Sequence, residues 1–160
     1  MELVSVLMCV YNTKKEYLQE AIDSILNQTH RNIEFIIIND CSTLSETNIL
    51  LDSYADPRIK VIKNEVNLGL TKSLIKGIDC CTARYIARMD SDDIAYVNRI
   101  EKQLAYMKKY EFGVIGSYYH FEPYRVYSTF ITQNIKKQKQ RMIFGNAGIV
   151  HSTAFIDKNV

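Results

Sequence analysis

Apolar runs of strand length alternate along this chain with apolar residues spaced at the helical period. Val4-Ser5-Val6-Leu7-Met8-Cys9-Val10 is nearly unbroken, as a central parallel strand covered on both faces would be. After Tyr11-Asn12, Thr13-Lys14-Lys15-Glu16 has the form of a capping box. Leu18, Ala21, Ile22, Ile25 and Leu26 then share one helical face, with Glu20, Asp23 and Asn27 outward. Ile33 to Ile38 predicts a second strand, ending in the polar run Asn39-Asp40-Cys41-Ser42-Thr43. A helix through Ile49, Leu50, Leu51, Tyr54 and Ala55 is closed by Asp56-Pro57-Arg58, because proline forbids its continuation.

Ile59 to Lys63 alternates and predicts strand three; the loop Asn64 to Leu70 follows, and its Gly69 can take backbone angles closed to other residues. Thr71 is the expected cap of a helix carrying Leu74, Ile75, Ile78 and Cys81 inward, and Tyr85 to Met89 is strand four. That strand ends abruptly in Asp90, Asp92 and Asp93. Acids at a strand-to-helix junction have two readings: a cap on the next helix, or a divalent-cation site. Ile100, Leu104 and Met107 continue at helical spacing, and Phe112 to Ser117 is a candidate fifth strand.

Strand, helix, strand, helix, strand, helix, strand is the pattern of an open α/β domain, a mostly parallel sheet flanked by helices. In such sheets the ligand lies beyond the carboxyl ends of the strands, which gathers Tyr11, Asp40 and the Asp90 to Asp93 cluster on one edge. From Tyr118 to Tyr127 aromatic residues crowd together, a pattern of core or strand face more than of a sugar platform. A helical segment with Ile135, Met142, Ile143 and Phe144 inward follows. Gly145-Asn146-Ala147-Gly148 then breaks into a strand-like run, Ile149 to Ile156, that contains His151. The expected organisation is one domain over 1–160, with a binding core at 1–117 and the start of a second functional region at 118–160.

Composition narrows this picture without redirecting it. A chain of 160 residues with 47% apolar and 24% charged residues is an ordinary globular domain, able to bury roughly 70% of its unfolded surface. A net charge of +2, with basic residues spread along the chain except for Lys136, Lys137, Lys139 and Arg141, gives no argument for nucleic acid. Cys9, Cys41, Cys80 and Cys81 have no zinc-clip spacing and read as thiols of a reducing compartment. With no signal-peptide pattern at the N-terminus and no apolar run near the roughly 20 residues a membrane span needs, a cytoplasmic location is expected.

The strand-end residues together resemble the family-2 glycosyltransferases, inverting enzymes of the Rossmann-like GT-A fold. The resemblance is carried by Ser5 to Asn12, Leu18 to His30 with Gln28-Thr29, Glu34 to Ser42, Asn67-Leu68-Gly69-Leu70, Tyr85 to Asp93 and, more weakly, Asn146 to Phe155. It implies transfer of a sugar from a nucleotide-diphosphate donor, UDP by the family's habit, to a glycan, lipid or protein acceptor, with peripheral membrane association open. Val10 and Tyr11 would pack near the base, Asp40 would accept its ring N–H, and Lys72 would lie near the diphosphate. Asp90 and Asp92 would form a D-x-D pair, Asp92 as direct ligand of Mn²⁺ or Mg²⁺, Asp90 toward the ribose or a metal-bound water; Asp93 would bind or cap. A cation is what lets carboxylates face a diphosphate at all.

Two departures accompany the resemblance. Lys72 is the only cation near the Asn-x-Gly loop, and Ile75 stands where a polar residue is common. The acidic pair that supplies the family's general base lies beyond the histidine segment and is not reached within 160 residues, which leaves His151 as a weak candidate base. A nucleotide-sugar-binding module without transferase activity is therefore the alternative. A sugar nucleotidyltransferase ranks below both, since Tyr11-Asn12-Thr13-Lys14 lacks the glycine of a phosphate loop.

Overall fold

The computed structural model describes residues 1–117 and 151–159. The elements run β1 (Val4–Val10), α1 (Lys15–Leu26), β2 (Ile33–Asn39), α2 (Ser45–Ser53), β3 (Ile59–Lys63), α3 (Leu70–Cys80), β4 (Tyr85–Asp90), α4 (Arg99–Tyr110), β5 (Val114–Ile115), a single 3₁₀ turn (His151–Thr153) and β6 (Phe155–Asp157). They build one six-stranded sheet in the order β3-β2-β1-β4-β6-β5. β1 pairs in parallel with both β2 and β4, β2 in parallel with β3, and β6 runs antiparallel to β4 and to β5. The expected open, mostly parallel α/β sheet is present, with an antiparallel edge.

Having gone from β1 outward to β2 and β3, the chain crosses back to lay β4 on the other side of β1. The strand order therefore reverses between β1 and β4, and a crevice opens at their carboxyl ends.

Side-chain alternation divides the core in two. Val4, Val6, Met8 and Val10 of β1 join Phe35, Ile37, Tyr85, Ala87 and Met89 against Leu18, Ile22 and Ile25 of α1 and Ile100 and Met107 of α4. Leu7, Ile36, Ile38 and Ile86 form a smaller cluster with Cys81, Leu74 and Ile78 under α3. Here α3 lies very close to the sheet: a Cβ on Gly77 would stand 2.3 Å from Leu7 Cδ1.

Several expectations need correction. Thr13 does not cap α1, whose N-cap is Lys14 without a side-chain hydrogen bond; its hydroxyl is taken by Ser91 Oγ at 2.7 Å and its carbonyl by Thr47 Oγ1. Thr71 lies inside the first turn of α3, whose cap is Gly69 at φ 81°. Ile75 is 57% exposed, because the face of α3 centred on Ser73 and Gly77 is the one that meets the sheet. Ile49 likewise points outward from α2, which stops at Ser53. The fifth strand shrinks to Val114–Ile115. Within Ile149 to Ile156, His151–Thr153 form a 3₁₀ turn and the strand begins only at Phe155. The aromatic cluster at Tyr118 to Tyr127 and the helix expected around Ile135 to Phe144 lie outside the described residues. Among those described, no helix is long and apolar enough to cross a membrane.

Candidate functional site

Four parallel strands deliver their last residues to one edge, and the loops that follow are stitched to each other by side chains. Asn12, in the left-handed region at φ 53°, accepts from the N–H groups of Thr43 and Leu44 at 2.7 and 3.1 Å, while its own N–H donates to Ser42 Oγ. Asn39 accepts from the Ser42 N–H at 2.9 Å and donates to Asn48. The turn after β2 is thereby fixed against the turn after β1, with Tyr11 half-exposed between them. Val10 is fully buried in the α1 side of the core; what it offers the edge is its backbone, whose carbonyl accepts from the Asp40 N–H at 2.8 Å.

Asp40 is 1% exposed and lies beneath the N-terminus of α3. Its Oδ1 accepts from Asn64 Nδ2 at 2.7 Å and the Leu68 N–H at 2.9 Å, its Oδ2 from the Gly69 N–H at 2.8 Å. Burial works to raise its pKa, but the Leu68 N–H and the donors of Asn64, Ser73 and Gly69 outweigh it and hold the carboxyl below the usual aspartate value. Four internal donors, the Leu68 and Gly69 N–H groups and the side chains of Asn64 and Ser73, thus surround the carboxylate. Lys72 is exposed in the first turn of α3, two residues beyond the start of the helix whose leading loop Asp40 holds.

The acids after β4 are not a helix cap. α4 begins only at Arg99, its N-cap is Asn98, and no side chain caps it. The intervening residues and the first turn of α4 are pinned instead to α1 and the turn that follows it: Ala95 N–H donates to Ser24 Oγ, Gln28 Nε2 to the Tyr96 carbonyl, and Ile100 N–H to Gln28 Oε1. With the Thr13–Ser91 bond, these contacts hold the acidic turn over the end of β1. Asp92 and Asp93 are exposed and, among the described residues, make no ion pair. Asp90 is half-buried and meets Arg88 Nη2 at 2.6 Å. Burial raises the Asp90 pKa despite that guanidinium, and the negative charges of Asp93 and Asp92 add to the rise.

β6 brings the last element to the same edge. The Arg88 N–H donates to the Ala154 carbonyl at 2.8 Å, and because β6 runs antiparallel to β4, the residues before Phe155 lie toward the acid-bearing end. His151 is exposed in that turn, which Gln103 of α4 ties down by donating to the Thr153 carbonyl. The other described histidine, His30, is buried at the opposite edge against the Glu2 carbonyl.

The edge thus unites Tyr11, Asp40, Lys72, Asp90, Asp92 and His151, from five separate stretches. Two members escaped sequence reasoning. Asn64 was legible only as a loop residue, yet it is buried between Asp40 and Lys76. Arg88 is hidden in an apolar strand. Its one signal was a charge where period-two alternation points inward.

Among the described residues no three His, Cys, Asp or Glu side chains converge as a group that could hold a metal ion. What the edge offers is carboxylate oxygen from Asp92, Asp93 and Asp90. Hard oxygen donors in that small number fit Mg²⁺ or Mn²⁺ when substrate phosphates complete the coordination, and do not fit an all-protein cage.

Residues 5–157 match the family described as Glycosyl transferase family 2. An uncharacterized glycosyltransferase of Haemophilus influenzae is 47% identical over 118 residues, covering 72% of this chain and 36% of that protein. The Escherichia coli UDP-Glc:alpha-D-GlcNAc-diphosphoundecaprenol beta-1,3-glucosyltransferase WfaP is 34% identical over 122 residues, covering 76% of this chain and 48% of its own length. Among solved structures, S. aureus TarS 1-349 in complex with UDP-GlcNAc superposes with a TM-score of 0.77 at 19% identity, over 98% of this chain and 45% of that one. The chain spans less than half the length of each.

Proposed function

The chain belongs to glycosyl transferase family 2 and has the GT-A fold, and from that premise we propose that it moves a sugar from a UDP-linked donor to an acceptor hydroxyl with divalent-cation assistance. The observation that carries this reading is the convergence at the β1/β4 switch point: a buried, hydrogen-bonded Asp40 on one side of Tyr11 and the uncapped acids Asp90 to Asp93 on the other. The donor named for the TarS complex and the UDP-Glc of the WfaP name support UDP as the nucleotide. The lipid-diphosphate-linked acceptor in the WfaP name supports an acceptor of glycan-assembly type.

In this reading the base lies against Tyr11, and Asp40 accepts its ring N–H in exchange for one of its internal donors. Lys72, at the positive end of α3, draws the diphosphate toward the helix N-terminus. Asp92 is the residue that would hold the cation directly, with Asp90 toward the ribose or a metal-bound water; when bound, the cation would offset charge on the departing diphosphate. In the transfer the bond from the anomeric carbon to the β-phosphate oxygen breaks and its electron pair leaves with UDP. The acceptor oxygen bonds to that carbon and loses its proton to a base. Of the described residues at the acid end of β4, His151 is the imidazole available to take it.

Titration with UDP, GDP and dTDP, with and without Mn²⁺, tests the reading. UDP uptake that Mn²⁺ strengthens and Asp92→Ala weakens is the expected result; failure of every nucleotide to bind would sink it. Donor turnover then separates transferase from binding module. Release of UDP onto a glycan acceptor supports the former, and binding with slow hydrolysis alone supports the latter.

A further inference from the structure

β4 is an apolar strand with one charge in its interior. Tyr85, Ile86, Ala87 and Met89 are all buried, and so is Arg88, at 8% exposure. Among the described residues, its Nε and Nη1 are buried without a hydrogen-bond partner. A guanidinium so poorly satisfied costs the fold stability, and an apolar side chain of similar size would serve packing better. Its one strong contact is Nη2 to Asp90 Oδ1, at 2.6 Å.

That contact starts from a rigid anchor. Arg88 stands opposite Leu7 of β1, its N–H donates to the Ala154 carbonyl, and its own carbonyl accepts from Arg99 Nη2 at 2.6 Å. Arg99 is held in turn by Gln103 Oε1. Arg88 and Asp90, two residues apart in a strand, project on the same side of the sheet, the α3 side that also carries Asp40. The carboxylate that begins the acidic turn is therefore tethered, whereas Asp92 and Asp93 have no ion-pair partner among the described residues.

We propose, taking the donor-site reading above as given, that Arg88 is a positioning residue that holds Asp90 out of direct metal coordination and leaves Asp92 to meet the cation. A cation that takes Asp90 directly must break a short charge-assisted hydrogen bond in a half-buried site; one that takes Asp92 breaks no ion pair among the described residues. Asp90 Oδ2 stays available to accept from a donor hydroxyl or a metal-bound water. Arg88 thus acts on the nucleotide site through Asp90 and touches no substrate itself.

The test is Mn²⁺ uptake in the presence of saturating UDP, read from the loss of the free-ion electron paramagnetic resonance signal, on the full chain and folded variants. In the parent protein Asp92→Asn weakens uptake at least about tenfold more than Asp90→Asn does. In an Arg88→Met background the released Asp90 becomes a ligand, so adding Asp90→Asn there costs about tenfold where it cost little before. Arg88→Lys, which keeps the charge, retains the parent pattern. A purely structural Arg88 would lower the melting temperature without changing the Asp90 effect. Equal damage from Asp90→Asn and Asp92→Asn in the parent protein overturns the proposal, and that comparison stands even if Arg88→Met does not fold. No Mn²⁺ uptake by the parent protein would instead overturn the donor-site reading.

Discussion

Asn64 presents its amide nitrogen to Asp40 Oδ1 at 2.7 Å and its amide oxygen to Lys76 Nζ at the same distance. Lys76 thereby decides which way the amide points, since only the NH₂ end can serve a carboxylate and only the oxygen a lysine. The same NH₂ also donates to Ser73 Oγ. One buried side chain links the end of β3, the end of β2 and α3 beneath the edge that carries Tyr11.

Asn64→Asp would set a second carboxylate against Asp40, and Asn64→Ala would leave Asp40 with one donor fewer. Both are predicted to cost about 1–3 kcal/mol of stability, with the aspartate the worse of the two. Denaturant melts measure this, and calorimetric titration with UDP is expected to show affinity falling by about tenfold. Unchanged UDP affinity in a folded Asn64→Ala protein would separate Asp40 from base recognition.

Gly77 is where α3 touches the sheet. A methyl there meets Leu7 and Ile38, so Gly77→Ala forces the helix outward or the leucine out of its rotamer. Overpacking of this kind typically costs about 1–3 kcal/mol, more than the helix propensity of alanine returns. Thermal melting is expected to drop, and Gly77→Val to drop further. A Gly77→Ala protein as stable as the parent would refute the close packing.

Burial pushes the Cys9 and Cys81 thiols up to about 11, with Asp40 adding to the rise at Cys9. At pH 8 about one such thiol in a thousand is then ionised, so both are predicted to react with thiol reagents much more slowly than an ordinary cysteine. Stopped-flow labelling with a colorimetric disulfide should find buried Cys81 in the slowest phase and half-buried Cys9 well behind an ordinary exposed thiol. Fast modification of either would contradict their placement.

Acid should destabilise the fold along a defined course. Arg58 holds Asp56 down to about 2, Arg84 holds Asp157 down, and hydrogen bonds outweigh burial at Asp40 and Glu34. A carboxyl whose folded pKa is depressed contributes stability above its unfolded value near 4, which is lost as pH falls through the folded value. Asp90, raised by burial, has the opposite sign: its contribution is lost as pH rises through its folded value. Four groups against one predict that melting temperature declines from about pH 5 toward pH 2. A flat profile over that range would show that these carboxylates are not engaged as described.

The strands that bury both faces were readable because β-branched and apolar runs of that length do little else, and β1, β2 and β4 lie where their runs do. The strand-end rule then found Tyr11, Asp40 and the acids without any contact information. What stayed hidden was every polar group whose partner is distant in sequence. Thr13 had a good local partner in Glu16, yet its hydroxyl went to Ser91, 78 residues away. Arg88 looked like a flaw in a strand until Asp90 and Arg99 were placed around it. The last strand was legible as the run Ile149 to Ile156, but not that its first half is a 3₁₀ turn nor that only Phe155–Asp157 pair, because neighbours supply that pairing.

The position of β6 has a consequence for how the protein is made. Phe155–Asp157 pair with Tyr85 to Ala87, some 70 residues earlier in synthesis, and without them β4 has an unpaired edge and β5 no neighbour in the sheet. At ribosomal speeds of about 5–20 residues per second, that edge stays open for several seconds after β4 has emerged. The half-sheet β3-β2-β1-β4 has to persist as a nascent species while its growing side remains a template for stray strands. Arg88, a charge on that side of the sheet, is present throughout the interval, before the acidic turn beside it has any ligand to hold.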